Sequence, residues 1–286
     1  MNDPHLTAAI SPAMLICGPH RLPLDRPLVM GVLNVTPDSF SDGGRFLDLS
    51  TALGHARKMI DDGADIIDVG GESTRPGAAP TPDREELRRV VPLIEKIAAL
   101  GVPVSADTRK PAVMRAAIAA GAAMINDVSA LRAPGALEAV AGAGASVAVC
   151  LMHMQGEPAT MQQSSVYEDV VYEVKQFLSD RAVACEGAGI ARDRIVVDPG
   201  FGFGKTVEHN LALLRRLSEI VALGYPVVVG LSRKSTIGAL TGRDTGERTA
   251  GSIAAALAAV ARGAKIVRAH DVRETVDALK VWCTVQ

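Results

Sequence analysis

Eight times along this chain a short apolar run ends on a polar residue and gives way to helical sequence. That recurrence limits the fold more than any other feature. The first run, Leu28-Val29-Met30-Gly31-Val32-Leu33, follows Pro27 and reads as a buried strand ending at Asn34. Gly63 leads into the second, residues 64–69. Gly101 leads to residues 102–106 and Asp107, and Gly121 to residues 123–125 and Asn126. Gly144 leads to residues 146–151, then Met152 and His153. Arg194 leads to residues 195–197 and Asp198, Gly224 to residues 226–231 and Ser232, and Gly263 to residues 264–267 and Arg268. A glycine just past a helix takes the left-handed backbone conformation and turns the chain into the next strand.

Between the strands the apolar spacing is helical. Leu53, Ala56, Met59 and Ile60 predict a helix over 51–62 with Ser50 as its N-cap, and residues 83–100 predict another, with Pro92 as a kink. Eight such βα units in roughly 260 residues predict an α/β fold, one (β/α)8 TIM barrel over 27–286. An open doubly wound sheet is the alternative, but no unit carries the G-x-G-x-x-G turn. Residues 1–26 stand outside the rhythm. Within them Met14–Cys17 and residues 20–24 flank Gly18-Pro19, which predicts a small hairpin or cap.

The totals exclude several functions. A net charge of −2 with no basic block, and 3% aromatic residues, give no surface for nucleic acid. No apolar run is long enough for a membrane span, and the N-terminal stretch lacks the charged and apolar regions of a signal peptide. Cys17, Cys150, Cys185 and Cys283 are scattered without a CxxC pair, which predicts reduced thiols and a cytoplasmic location. The histidines show no zinc spacing, so a tightly held transition metal is not expected. Magnesium carried in by a phosphate substrate needs few protein ligands and fits.

A barrel collects the residues that end its strands at one mouth. Three of them, Asp107, Asn126 and Asp198, are carboxylates or an amide. Each could cap the helix that follows, but the three together suit a polar heterocycle. An amino group beside a ring N–H presents two parallel donors to one carboxylate, each bond being worth roughly 1.5–3 kcal/mol. Lys234, Arg268 and His270 end other strands, and Arg75 stands in the loop after the second. With two helix starts, at Ser235 and after His270, they suggest two anionic groups, a phosphate and a carboxylate. Residues 200–206, GFGFGKT, fail the phosphate-loop spacing because Pro199 stands where glycine is needed, and they read as a flexible loop with Phe203 as a contact. Met152-His153-Met154 reads as core packing or as a soft wall against a flat ring.

The stretches GVLNVTPDSFSDGG (31–44) and GADIIDVGGESTRPG (63–77) resemble the two signature motifs of the dihydropteroate synthase family. The resemblance extends through DTRKP, INDVSA, LMHMQG, DPGFGFGKT, GLSRKS and VRAHDV, from about residue 27 to the C-terminus. It implies a (β/α)8 barrel that joins p-aminobenzoate to 6-hydroxymethyl-7,8-dihydropterin pyrophosphate, releasing pyrophosphate in folate biosynthesis. It also implies that Asp107, Asn126, Met152, Asp198, Lys234 and Arg268 bind the pterin, and that Asn34, Arg268 and His270 bind pyrophosphate. Asn34 would also ligate Mg²⁺. Phe40, Thr74, Arg75, Pro76, Phe203, Lys234 and Ser235 would bind p-aminobenzoate. Catalysis would fall to Asp107, Lys234, Arg268 and Asn34, by an SN1-like path, in a homodimer built on the Ala-rich helices at 250–260 and 272–281. Residues 35–44 are expected to act as a lid. A pterin-dependent methyltransferase shares the barrel and the Asp/Asn/Asp set but has no use for STRPG or SRKS. A non-catalytic pterin binder would not need Asn34, Arg75, Lys234 and Arg268 intact.

Overall fold

The computed structural model describes residues 13–35, 45–73, 79–144, 146–156, 161 and 165–285, the side chains of 45–48 apart. Eight parallel strands form one sheet. Before them, β1 (Met14–Cys17) and β2 (His20–Pro23) make an antiparallel hairpin. The barrel strands are β3 (Leu28–Asn34), β4 (Ile66–Gly70), β5 (Val104–Asp107), β6 (Met124–Asp127), β7 (Ala148–Met152), β8 (Ile195–Asp198), β9 (Val228–Val229) and β10 (Ile266–Ala269). Between and after them run α1 (Arg45–Asp61), α2 (Asp83–Ala98), α3 (Pro111–Ala119), α4 (Ala136–Ala141), α5 (Val170–Gly187), α6 (Val207–Arg215), α7 (Leu217–Val221), α8 (Ser235–Thr241), α9 (Thr249–Val260) and α10 (Val272–Val285). From β3 to β8 each strand pairs with the next, β9 pairs with β10, and β10 returns to pair with β3. The ring closes between β8 and β9 through one bridge, Val197 to Val227, where Val197 N–H donates to the Pro226 carbonyl at 3.0 Å. The barrel expected from the sequence is thus the observed one.

Alternation along the strands sorts the side chains into two cores. Odd-facing residues such as Val29, Ile67, Val69, Ile125, Val149, Val197 and Val267 join the helices in the outer layer. Leu28, Met30, Ile66, Met124, Ala148, Cys150, Val196, Val228 and Ile266 fill the bore. The hairpin plugs the N-terminal end of that bore: Leu15, Cys17 and Leu24 are buried in the same cluster, and Gly18 N–H donates to the Ser146 carbonyl at 2.7 Å. Above this apolar floor the inward positions turn polar.

Three boundaries differ from the expected ones. α1 begins at Arg45, and Ser50 is an exposed residue inside it rather than its cap; Leu49 carries the apolar stripe of Ala52, Leu53 and Ala56 one turn earlier. Pro92 lies within α2, which ends at Ala98. The seventh barrel strand shrinks to Val228–Val229, because Pro226 has no N–H to give to a ladder.

Candidate active site

Strand register places the polar residues side by side. Asn34 pairs with Gly70, Gly70 with Asp107, and Asp107 with Asn126. Farther round, Met152 pairs with Asp198. Gly70 keeps the first three close: a Cβ there would lie 3.5 Å from both Asn34 Oδ1 and Asp107 Cβ. A narrow cleft opens above this ring. Asp107, Asn126, Met152, Asp198, Phe203, Lys234 and Arg268 line it, together with Val128, Gly200, Phe201 and Gly230.

Capping does not explain the acids. The N-cap of α3 is Lys110, so Asp107 is free of that duty, and the Asp107 carboxylate accepts instead from Arg268 Nη2 at 2.8 Å. Arg268 Nε donates to Asp68 Oδ2 at 2.7 Å, and Asn126 Nδ2 donates to the same oxygen at 3.1 Å. Asp68 is fully buried, and its Oδ1 has no hydrogen-bond partner. Asp198 accepts from Gly200 N–H at 2.7 Å. Asp127, next to Asn126, does the local work there, taking Ser129 N–H at 2.7 Å and Leu131 N–H at 2.8 Å while Ala130 and Leu131 adopt φ values of 54° and 55°.

Burial sets the charges. It pushes the Asp107 carboxyl up to about 7, helped by the Asp68 charge and opposed by Arg268. Burial raises Asp198 too, against the Gly200 N–H. Burial and the Arg268 charge bring Lys234 down to about 8. Burial works against the Arg268 cation, but Asp68 and Asp107 more than offset it and hold its pKa above the ordinary arginine value. The ammonium of Lys234 sits 4.2 Å from the centre of the Phe203 ring, a cation–π contact at one wall of the cleft. Met152, Met154, Met161 and Val128 pack with Phe203 as a soft apolar wall, so Met152 is wall rather than deep core.

Other expected residues stand apart from the cleft lining. Asn34 is exposed at the end of β3. Ser235 opens α8 beside Lys234. His270 turns to the β9–α8 loop, with its backbone N–H at 3.2 Å and its Nδ1 at 3.1 Å from Ser232 Oγ. Burial and the Arg268 charge lower its pKa to about 4, so it offers a neutral N–H rather than a cation. Phe40, Thr74, Arg75, Pro76 and residues 36–44 of the expected lid lie outside the described residues. The loop at 200–206, expected to be flexible, is instead tied down: Lys205 is buried and donates to the carbonyls of Gly200 and Phe203. Asp68 is the residue that sequence reasoning missed. Its signal was parity, since it stands an even step from Gly70 and Ile66 on a strand whose even positions face the bore.

The pterin binding enzyme family matches residues 30–270. The chain is 53% identical over 271 residues to dihydropteroate synthase of Neisseria meningitidis serogroup B, covering 93% of this chain and 95% of that one. The crystal structure of Xanthomonas albilineans dihydropteroate synthase with 4-aminobenzoic acid superposes with a TM-score of 0.90 at 54% identity, covering 96% of this chain and 98% of the other. The Burkholderia cenocepacia enzyme complexed with 7,8-dihydropteroate superposes with a TM-score of 0.86 at 51% identity over 96% of each chain. With this barrel, and with these acids and two cations around one cleft, the chain belongs to the dihydropteroate synthase family of pterin-binding enzymes.

Proposed function

We propose that the cleft condenses 6-hydroxymethyl-7,8-dihydropterin pyrophosphate with p-aminobenzoate to give 7,8-dihydropteroate and pyrophosphate. The observation that carries this reading is the acid set Asp68, Asp107 and Asp198, with Arg268 bonded to the first two and Lys234 lining the same cleft. It suits a ligand with several N–H donors at its buried end and negative charge at its outer end. The relatives that hold 4-aminobenzoic acid and dihydropteroate share this fold at half identity or better.

Asp198 accepts the ring amino group and its neighbouring N–H. One amide proton of Asn126 is committed to Asp68, which turns the Asn126 carbonyl oxygen towards the ring as an acceptor. The C–O bond to pyrophosphate then breaks, and the electron pair leaves with the phosphate oxygen. The methylene carbon left behind is cationic and conjugated to the electron-rich pterin. Asp107, beside it, stabilises that charge. The neutral aromatic amine attacks this carbon and releases its proton afterwards, so no strong base is required. Lys234 and Ser235 hold the carboxylate end of p-aminobenzoate, with Phe203 against its ring. Arg268 and the N–H of His270 face the departing pyrophosphate.

The exposed Asn34 side chain, a neutral oxygen donor beside Asp107, fits a hard cation brought by the phosphates. Asn34 would hold magnesium there, and the ion would supply charge neutralisation on the leaving group. The same reading places the protein in the cytoplasm as a homodimer through α9 and α10. All four cysteines are free thiols, and Val281 and Val285 on α10 are exposed apolar residues. Among the described residues no helix is long and apolar enough to cross a membrane.

The test is pyrophosphate release by the purified protein. Release should require p-aminobenzoate and the pterin pyrophosphate together. Pterin binding without release would mark a non-catalytic binder, and methyl transfer would mark the other enzyme class.

A further inference from the structure

One wall of the cleft is made by the two loops that follow β7 and β8, strands whose ladder ends at Met152 and Asp198. Met152 stands at the end of β7 and Phe203 in the loop after β8. That second loop has glycine at every other position, and Gly200, Gly202 and Gly204 take φ values of 69°, 81° and 62°. The chain therefore curls into a tight coil that presents several carbonyl oxygens to one point. The ammonium of Lys205 fills that point. It is 3% exposed and lies 3.0 Å from the Gly200 carbonyl, 3.0 Å from the Phe203 carbonyl, 3.3 Å from the His153 carbonyl and 2.9 Å from His153 Nδ1.

A buried ammonium is costly to desolvate unless every proton is bonded. Burial brings the Lys205 pKa down to about 7, against the Asp198 charge, so the group donates here as an amine whether or not it carries the extra proton. Here its protons meet acceptors from both loops. The described residues show no ion pair to Lys205 that would make it a simple salt bridge, and it does not line the cleft. The two loops also press together without slack: a Cβ on Gly200 would fall 1.9 Å from the His153 carbonyl oxygen. Burial lowers the His153 pKa to about 3, helped by the Lys205 charge, so its ring is neutral and Nδ1 is free to accept from the amine. Tyr167 adds a tether from outside, its hydroxyl donating to the Gly204 carbonyl at 3.0 Å.

We propose that Lys205 is a positioning residue for the amine substrate: by binding the carbonyls of Gly200 and Phe203 to His153, it sets the place of the Phe203 ring opposite Lys234. The proposal rests on the condensation described above. Lys205 makes no hydrogen bond to Asp107, Asn126 or Asp198 and reaches the pterin end only through its charge on Asp198, so its main effect falls on the amine substrate. Phe203 is the point at which the effect is felt, because its ring meets Lys234 at one wall.

Steady-state kinetics with each substrate varied in turn read this directly. In Lys205→Met the KM for p-aminobenzoate should rise about tenfold, while kcat and the KM for the pterin pyrophosphate change by less than about threefold. His153→Leu removes one acceptor and leaves the loop carbonyls bonded. It should give the same selectivity at about threefold, and it carries the test if the lysine variant does not fold. Unchanged KM values, or equal rises for both substrates, would overturn the proposal. If the unaltered protein released no pyrophosphate, the reaction assignment would fail instead, which separates the two outcomes.

Discussion

Asp68 and Arg268, 200 positions apart in the chain, meet inside the bore through a 2.7 Å bond that leaves the second Asp68 oxygen buried and without a donor. An unpartnered carboxylate oxygen in a protein interior is costly, and a ligand N–H is the group that would satisfy it. Asp68→Asn removes the charge and disturbs Arg268 as well as Asn126. Pterin pyrophosphate affinity should fall by about 1.5–3 kcal/mol, roughly 10- to 150-fold, as measured by calorimetry. Native affinity in that variant would show that Asp68 serves only to hold Arg268.

Asp107 is assigned a charge role beyond its place in the lining of the cleft. Asp107→Asn keeps the shape and an acceptor oxygen but cannot stabilise a cation at the methylene carbon. Its kcat should drop by about 10²-fold or more, the scale of losing one preorganised electrostatic group. Turnover at the native rate would refute the role.

The two perturbed groups predict a pH profile. Asp107 must be anionic, so kcat/KM should rise as pH climbs through about 7, where burial and Asp68 have placed its pKa. Lys234 must be cationic, so kcat/KM should fall as pH passes about 8. The result is a bell whose acid limb belongs to Asp107 and whose alkaline limb belongs to Lys234. In Asp107→Asn the acid limb belonging to this residue should disappear, while the alkaline limb stays. A profile flat from pH 6 to 9 would contradict both assignments.

Gly200 tests the packing of the two loops. Its φ of 69° and the 1.9 Å approach of a Cβ to the His153 carbonyl leave no room for a side chain. Gly200→Ala should lose at least about 2 kcal/mol of stability, read by denaturant unfolding. Gly144, also at positive φ but with open space around it, should tolerate alanine better.

The strand rhythm made the barrel legible, because glycine at helix ends and a polar residue at strand ends are local signals. For the same reason Asp107, Asn126, Asp198, Lys234 and Arg268 could be named before any geometry, and all five line one cleft. What stayed hidden depends on facing and closure. Asp68 looks like any strand residue until the register shows that it points inward beside Val32 and Ser105. Lys205 looks like a loop lysine until two distant loops are brought together around it. His270 was read as a potential cation, but burial and the neighbouring Arg268 remove its charge. Such effects come from neighbours in space, which local sequence does not record.

The single bridge between β8 and β9 has a consequence for how the cleft tolerates change. On every other seam the spacing of neighbouring loops is dictated by backbone ladders, which side-chain substitutions leave alone. At this seam, Phe203 and Lys234 hang from strands joined by one bridge, so the width between them is governed by side chains and turn geometry. Evolution or design can therefore retune the width of this one wall without cutting a ladder, while the acid floor stays rigid.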